Sequence, residues 1–164
     1  YAEAIDLLIS IAVAEQMNSP MFLANLGSVR RQLVASFSPE KRRQVDRLKS
    51  RIMIGVTSST FVQAGASAPP NRVVQTLHQA FISQTQLEIR YQREDGKRSN
   101  RLIAPHYMLL KYPIWYVVAF DHLTDGPRVF RCDRILAANR TEASFSLLPK
   151  EVFEPSIENS DLSL

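Results

Sequence analysis

The spacing of the hydrophobic residues changes once along this chain. Up to residue 56, and again over residues 71–85, apolar side chains recur at the three- and four-residue intervals of helices. From Gln86 to about residue 140 they alternate with polar side chains, as in strands that bury one face. The sequence therefore predicts an α+β fold, in which helices come first and an antiparallel sheet follows.

The first third of the chain is expected to be helical. The run from Tyr1 to about Met17 is apolar on nearly every face, which predicts a helix that is buried or packs against a partner. Ser19-Pro20 and Ser38-Pro39 are typical helix starts, because serine caps free amides and proline fits the first turn. Residues 51–56 suit a short strand or an extended linker. Because the chain opens with Tyr1 inside a helical pattern, we expect a fragment of a longer protein.

Turn motifs divide the alternating region into about five short strands. Asp95-Gly96 and Thr124-Asp125-Gly126-Pro127 are strong turn sequences, and Pro105 is expected to end a strand. Short strands at this spacing, after one helix that begins near Asn71, suit a small, strongly bent antiparallel barrel. The predicted strand segments are 86–92, 98–104, Tyr107–Lys111, Ile114–Asp121, Arg128–Arg134 and Leu136–Arg140.

Charge is distributed unevenly along the chain, although the net charge is only +4. Residues 86–140 contain eight arginines, two lysines and six acidic residues, whereas residues 141–164 contain one basic and five acidic residues. The planar arginine fork suits phosphates and stacking on bases better than the point charge of lysine does. An ordinary solvated surface explains the same arginines equally well at this stage.

Composition and motifs exclude several classes of protein. Hydrophobic residues make up 45% of the 164 residues, which is typical of a globular chain. Cys132 is the only cysteine, so an internal disulfide and a cysteine-based zinc site are impossible. The three histidines have no metal-ligand spacing, and no phosphate loop or catalytic motif is present. We therefore expect a cytoplasmic protein that is not an enzyme and has no cofactor, metal ion or membrane partner.

Four segments resemble segments of the WYL-domain family of bacterial transcriptional regulators, and they occur in the same order along the chain. Trp115-Tyr116-Val117 stands where the family has its Trp-Tyr-Leu tripeptide, so the third residue departs mildly from the pattern. The resemblance covers about residues 71–142. The other three segments are Leu87–Tyr91, Arg101–Pro105 and Arg128–Ile135.

The resemblance implies a ligand-sensing module of a transcription factor. Members of the family typically join a winged helix-turn-helix, a helical linker and a barrel similar to the Sm-like, SH3-type fold, often with a C-terminal extension. Residues 1–56 resemble the helical linker, and the DNA-reading head is expected to be missing. We predict a linker and dimerisation region at 1–56, a flexible linker at 57–70, the WYL barrel at 71–142 and a C-terminal linker or tail at 143–164.

The family resemblance also implies a basic, aromatic-lined pocket for a nucleic acid or a nucleotide. Strand alternation places Phe130 and Cys132 in the core and turns Arg131 outward. For the arginines, a structural salt bridge with Asp133 or Asp121 remains an alternative role. For Trp115 and Tyr116, packing in the core remains an alternative role. The expected effector-binding residues are Tyr91, Arg101, Trp115, Tyr116, Arg128, Arg131 and Arg134.

The sequence leaves two functions open. The first is an effector-sensing region that binds single-stranded nucleic acid or a nucleotide and thereby controls operator binding by the absent head. The second is a ligand-free oligomerisation module, for which a closed, salt-bridged arginine cluster would be diagnostic. In both, the apolar first helix predicts a homodimer, because such a surface is rarely left in water.

Overall fold

The computed structural model describes residues 2–16 and 25–162, which fall into two compact units, Tyr1–Ile54 and Gly55–Leu164. Within these residues no helix is long and apolar enough to cross a membrane. The first unit contains the helices α1 (Ala2–Gln16), α2 (Leu26–Ala35) and α3 (Pro39–Lys49) and the short strand β1 (Ile52–Ile54).

The helical unit follows the sequence patterns where it is described. Leu8 and Ile11 of α1 are buried, and Arg30 of α2 donates to Glu15 of α1 at 2.6 Å. Ser38 caps α3 as predicted, since its hydroxyl accepts from the amide of Lys41. The other predicted helix start, Ser19-Pro20, lies outside the described residues.

The second unit contains three helices and five paired strands. The strand order is β5-β4-β3-β2-β6, and every neighbouring pair is antiparallel. The α+β prediction is confirmed. The sheet is not closed, because no ladder joins β5 to β6 in the described part of the chain, so the Sm-like or SH3-type barrel stays a prediction. The elements are α4 (Thr60–Ala64), α5 (Asn71–Ser83), β2 (Thr85–Gln92), β3 (Arg98–Lys111), β4 (Ile114–Asp121), β5 (Gly126–Arg131), β6 (Ile135–Ser144) and α6 (Glu154–Leu162).

Two predicted strand boundaries are wrong. β3 continues through Pro105, where the sequence predicts an end, because the ladder to β4 shifts register between Pro105 and Tyr107. Proline is tolerated at such an irregularity, where it removes no regular hydrogen bond. β5 ends at Arg131, three residues earlier than predicted, and Cys132–Arg134 form a 3-10 turn that leads into β6. The turn at Asp95-Gly96 is present, with Gly96 at φ +80°, a conformation that glycine adopts without strain.

Segments predicted as linkers contain helices. Residues 57–70 include α4, which Ser59 caps by accepting from the amide of Val62. Residues 143–164 include a 3-10 turn at Lys150–Val152 and α6. Between these two elements Phe153 is fully buried, with its ring 4.5 Å from that of His106. Burying an aromatic ring of this size contributes ~1.5–3 kcal/mol, which explains why the acidic tail packs on the sheet.

The hydrophobic core lies between α5 and one face of the sheet. Phe130 and Cys132 are part of it, as alternation predicted, and Trp115 packs partly buried against it. On β4 the neighbouring Tyr116 points to the opposite face. The buried core comprises Val73, Leu77, Ala80, Leu87, Ile89, Tyr91, Ile103, Val117, Ala119, Phe130, Cys132, Ile135 and Ala138.

Candidate effector site

The seven predicted site residues fall into three groups rather than one pocket. Trp115 belongs to the margin of the core. Arg101 and Arg128 meet at a buried aspartate, and we call Arg101, Asp121, Thr124 and Arg128 the Asp121 cluster. The remaining four residues gather beside the 3-10 turn. We call Tyr91, Tyr116, Arg131, Asp133 and Arg134 the Arg131 cluster.

Strand pairing builds the Arg131 cluster. Tyr116 of β4 lies directly opposite Arg131 of β5, so their side chains leave the sheet on the same face. The backbone amide of Arg131 donates to the Tyr91 hydroxyl at 3.3 Å. The Tyr91 ring meets the Phe130 ring edge-on, with centroids 5.1 Å apart. The last residue of β5 is therefore held by two tyrosines from two other strands.

Asp133 binds the Arg131 guanidinium in a bidentate manner. Nε donates to Oδ1 at 3.0 Å and Nη2 donates to Oδ2 at 2.7 Å. These bonds raise the pKa of Arg131. Burial of the Asp133 carboxyl disfavours its charge, but the hydrogen bonds from Arg131 and from the Ser67 amide outweigh burial and lower its pKa. Both groups are therefore charged at neutral pH.

A segment of the chain before α5 covers this ion pair. The Ser67 amide donates to Oδ2 of Asp133 at 3.2 Å, and Nη2 of Arg131 donates to the Gly65 carbonyl at 3.4 Å. As a result only 11% of the Arg131 side chain is exposed. Arg131 leaves the core face, as predicted, and residues 65–67 lie across it.

Arg134 is the more open cation of the Arg131 cluster. Its side chain is 27% exposed, and Nη2 lies 3.7 Å from a carboxylate oxygen of Glu94, which is itself mostly in solvent. Burial raises the pKa of Tyr91, against the opposing contacts with Arg131 and Arg134. It also raises the pKa of Tyr116, against the opposing influence of Arg131 and Ser58. Both tyrosines therefore keep their hydroxyl protons at neutral pH.

The Asp121 cluster is a closed ion-pair network. The fully buried carboxylate of Asp121 accepts from Nη1 of Arg101, from the Thr124 hydroxyl at 3.0 Å and from the Leu123 amide at 3.1 Å. Nε of Arg128 lies 3.6 Å from the same carboxylate. The Arg101 guanidinium also lies over the Phe130 ring, 5.8 Å from its centroid. The salt bridges with Asp121 or Asp133 that the sequence left open are thus present for Arg101 and Arg131, and Arg134 pairs with Glu94 instead.

The arginines open onto different surfaces. Arg101 lines a groove of about 550 Å³ over β2, β3 and β6, together with Glu88 and Asn139. Arg128, which is 51% exposed, lines a second groove of about 470 Å³ between β5 and α6. Neither groove includes Arg131 or Arg134 among its lining residues.

Sequence reasoning missed three residues around this site, Gly65, Ser67 and Lys111. Asp133 was considered only as one possible salt-bridge partner, although its spacing of two residues from Arg131 was a usable signal. The backbone contacts of Gly65 and Ser67 gave no signal, because any residue supplies an amide and a carbonyl. Lys111 is buried and donates to the Ser160 hydroxyl at 3.1 Å, with its ammonium 5.6 Å from the centre of the Tyr116 ring.

The described residues show neither a metal site nor a reactive cysteine. No group of three or more His, Cys, Asp or Glu side chains that could hold a metal ion occurs in residues 2–16 and 25–162. Burial raises the pKa of the Cys132 thiol to about 12, so it is protonated at neutral pH.

Comparison with known proteins gives one family match. The sequence model of the WYL domain matches residues 72–140. No curated protein matches the chain. Among solved structures the chain is similar to proteasome accessory factor B/C (PafBC) of Arthrobacter aurescens, with 22% sequence identity and a TM-score of 0.43. That alignment covers 88% of this chain and 21% of the other, so the chain spans about a fifth of that structure's length. The predicted resemblance is confirmed over residues 72–140, which match the WYL domain.

Proposed function

We propose that this chain is the effector-sensing region of a bacterial helix-turn-helix transcriptional regulator. In this proposal the WYL domain binds a single-stranded nucleic acid or a nucleotide at the Arg131 cluster. The observation that carries the proposal is the convergence of two arginines and two tyrosines from β2, β4 and β5 beside one 3-10 turn. Arginine forks bind phosphates, and aromatic rings stack on bases.

The proposal gives each residue a role. Arg131 and Arg134 contact phosphates at the Arg131 cluster, and Arg128 contacts a further phosphate from the groove between β5 and α6. Tyr116 faces the bases, and Tyr91, whose ring belongs to the core, presents its hydroxyl to the Arg131 cluster. These two residues expose 6% and 9% of their surface. Arg101 and Trp115 support this surface from the Asp121 cluster and the core margin.

The proposed mechanism is a population shift. A ligand that binds one arrangement of the region more tightly than another favours that arrangement by its difference in affinity. Such a shift would change how DNA-binding heads, supplied by a longer chain, approach operator DNA. We further propose a cytoplasmic homodimer that associates through α1, and a sheet of the Sm-like or SH3-type. The placement of the last strand, β6, beside the first, β2, supports that assignment of the sheet.

One observation favours a second function, a ligand-free oligomerisation module. Arg101 and Arg131 are each paired with an aspartate and expose only 11% of their side chains. In such a module these pairs would fix the fold, and the exposed surface would contact protein rather than phosphate.

Binding of an oligothymidylate to the purified chain tests the proposal. We expect binding at low salt, measured by fluorescence anisotropy, and affinity that falls as salt rises because phosphate contacts release counterions. A preparation that retains nucleic acid would also show excess absorbance at 260 nm. Absence of binding by oligothymidylate and by mononucleotides at low salt would favour the oligomerisation module.

A further inference from the structure

Residues 58–67 form a strap whose described hydrogen bonds to the sheet lie at its two ends, with Val62 buried between them. At its first end Ser58 is buried, its amide donates to the Tyr112 carbonyl at 3.0 Å, and its hydroxyl donates to the Lys111 carbonyl at 2.7 Å. At its second end the strap contacts the sheet through Gly65 and Ser67, and both contacts go to the Arg131–Asp133 pair. One ion pair therefore holds the second end.

The shape of the guanidinium couples anion binding to this attachment. Arginine can grip a phosphate with two parallel N–H groups along either of two edges, Nε with Nη2 or Nη1 with Nη2. Both edges include Nη2. In Arg131 this nitrogen already donates to Asp133 at 2.7 Å and to the Gly65 carbonyl at 3.4 Å.

Each bidentate mode consequently breaks a contact of the strap. A phosphate on the Nε–Nη2 edge displaces the Asp133 carboxylate, which is the acceptor for the Ser67 amide. A phosphate on the Nη1–Nη2 edge displaces the Gly65 carbonyl. A phosphodiester anion competes well with the neutral Gly65 carbonyl, since hydrogen bonds between charged groups are about twice as strong as neutral ones, and it carries the same charge as the Asp133 carboxylate.

We propose that Asp133 is an internal competitor for the effector, and that a phosphate gripped by Arg131 releases the second end of the strap. The inference rests on the proposed function and adds its regulation. The released end would uncover the Arg131 guanidinium. The strap lies in the chain between the helical unit, which ends at Ile54, and α5, which begins at Asn71. Ligand binding would thus replace the Arg131–Asp133 pair and free residues 65–67 in one step.

The attachment itself is tested without any ligand. In Asp133→Asn the carboxylate charge is lost at nearly constant volume. We expect hydrogen exchange of the Ser67 amide to become roughly tenfold faster, because a hydrogen bond to a charged acceptor is replaced by a weaker one. Arg131→Lys, which keeps the charge but loses the fork, should accelerate the same amide. The matched control is Asp125→Asn in the exposed turn between β4 and β5, which should leave Ser67 unchanged. Unchanged exchange in both Asp133→Asn and Arg131→Lys would overturn the inference.

The coupling is tested with oligothymidylate as the probe. In the parent protein, saturating oligothymidylate should accelerate exchange across residues 65–67. In Asp133→Asn, it should bind several-fold more tightly and cause little further acceleration, because the competitor is already weakened. Binding by the parent without faster exchange in the strap would overturn the inference alone. No binding by either protein would overturn the proposed function, and the displacement with it.

Discussion

The two arginine–aspartate pairs of the WYL domain have similar chemistry and different surroundings. In the Asp121 cluster every partner of the carboxylate belongs to the sheet or to the turn after β4. In the Arg131 cluster the carboxylate also accepts from Ser67, which lies outside the sheet. Asp121 is fully buried, and the Asp133 side chain retains 5% exposure at the surface under the strap.

This difference distinguishes a pair that stabilises the fold from a pair in which a ligand phosphate can replace the aspartate. Removing one member of a buried pair leaves a charge without a partner and disrupts the elements that the pair joins. Breaking the Asp121 cluster affects β3, β4 and β5 together. Breaking the Arg131–Asp133 pair affects only the end of one strand and the strap. An incoming phosphate can replace the carboxylate as the partner of Arg131.

Substitution at Asp121 should have the largest effect. In Asp121→Asn the Arg101 guanidinium stays buried without its counter-charge, so we expect the free energy of unfolding to fall by ~3–5 kcal/mol. Urea unfolding followed by tryptophan fluorescence measures the change. Asp125→Asn is the matched control and should change the unfolding free energy by less than ~0.5 kcal/mol. Equal stability of the two variants would contradict the role given to the Asp121 cluster.

Substitution at Asp133 should have a smaller effect, and one that depends on pH. We expect Asp133→Asn to lower the free energy of unfolding by ~1–3 kcal/mol at neutral pH. The pKa of Asp133 is lower in the folded protein than its ordinary value of 3.8. Its stabilising contribution is therefore fully present above about pH 4 and is lost as pH falls through the folded-state pKa.

Urea unfolding of the parent and of Asp133→Asn across an acid pH series tests this. The stability difference should be constant from neutral pH to slightly above the ordinary aspartate pKa and should shrink only below it. A difference that already disappears near pH 6 would show that Asp133 is not held in its charged form by Arg131.

The smallest change is expected in the reactivity of Cys132, which also distinguishes the Asp121 cluster from the Arg131–Asp133 pair. The thiol is 5% exposed, and its pKa is raised to about 12 by burial, so a thiol reagent should label the folded parent very slowly. Asp133→Asn should remain almost as slow, although the substituted residue is adjacent, because Cys132 belongs to the core. Asp121→Asn should react faster through global opening. Rapid labelling of Asp133→Asn would mean that the pair secures the core as well as the strap.

Much of the fold could be predicted from local patterns. Alternation in β2 and β4, the Asp95-Gly96 turn and the helical spacing after Asn71 each reflect interactions between near neighbours. The same reasoning failed at Pro105, where pairing with β4 carries the strand across a register shift. It also failed for the tail, because the burial of Phe153 depends on His106 and Tyr107, nearly fifty residues away in the sequence.

The candidate site was less predictable than the fold. The sequence identified the arginines, and alternation separated Arg131 from the core face. It could not show that Arg101 and Arg131 form ion pairs with different aspartates, since the aspartate that each arginine reaches depends on strand register and on a 3-10 turn. The strap could not be predicted from the sequence, because its contacts use backbone atoms of Gly65 and Ser67, and every residue has such atoms.

If Arg131 contacts phosphate in the effector, the salt dependence of oligothymidylate binding must include that contact. With three arginine contacts the log–log slope for the parent should be roughly −2, at ~0.7 per phosphate for single strands. Arg131→Ala should bind more weakly with a slope shallower by ~0.7, and Arg72→Ala, an exposed control on α5, should match the parent. Equal affinity and equal slope in Arg131→Ala and the parent would contradict the account.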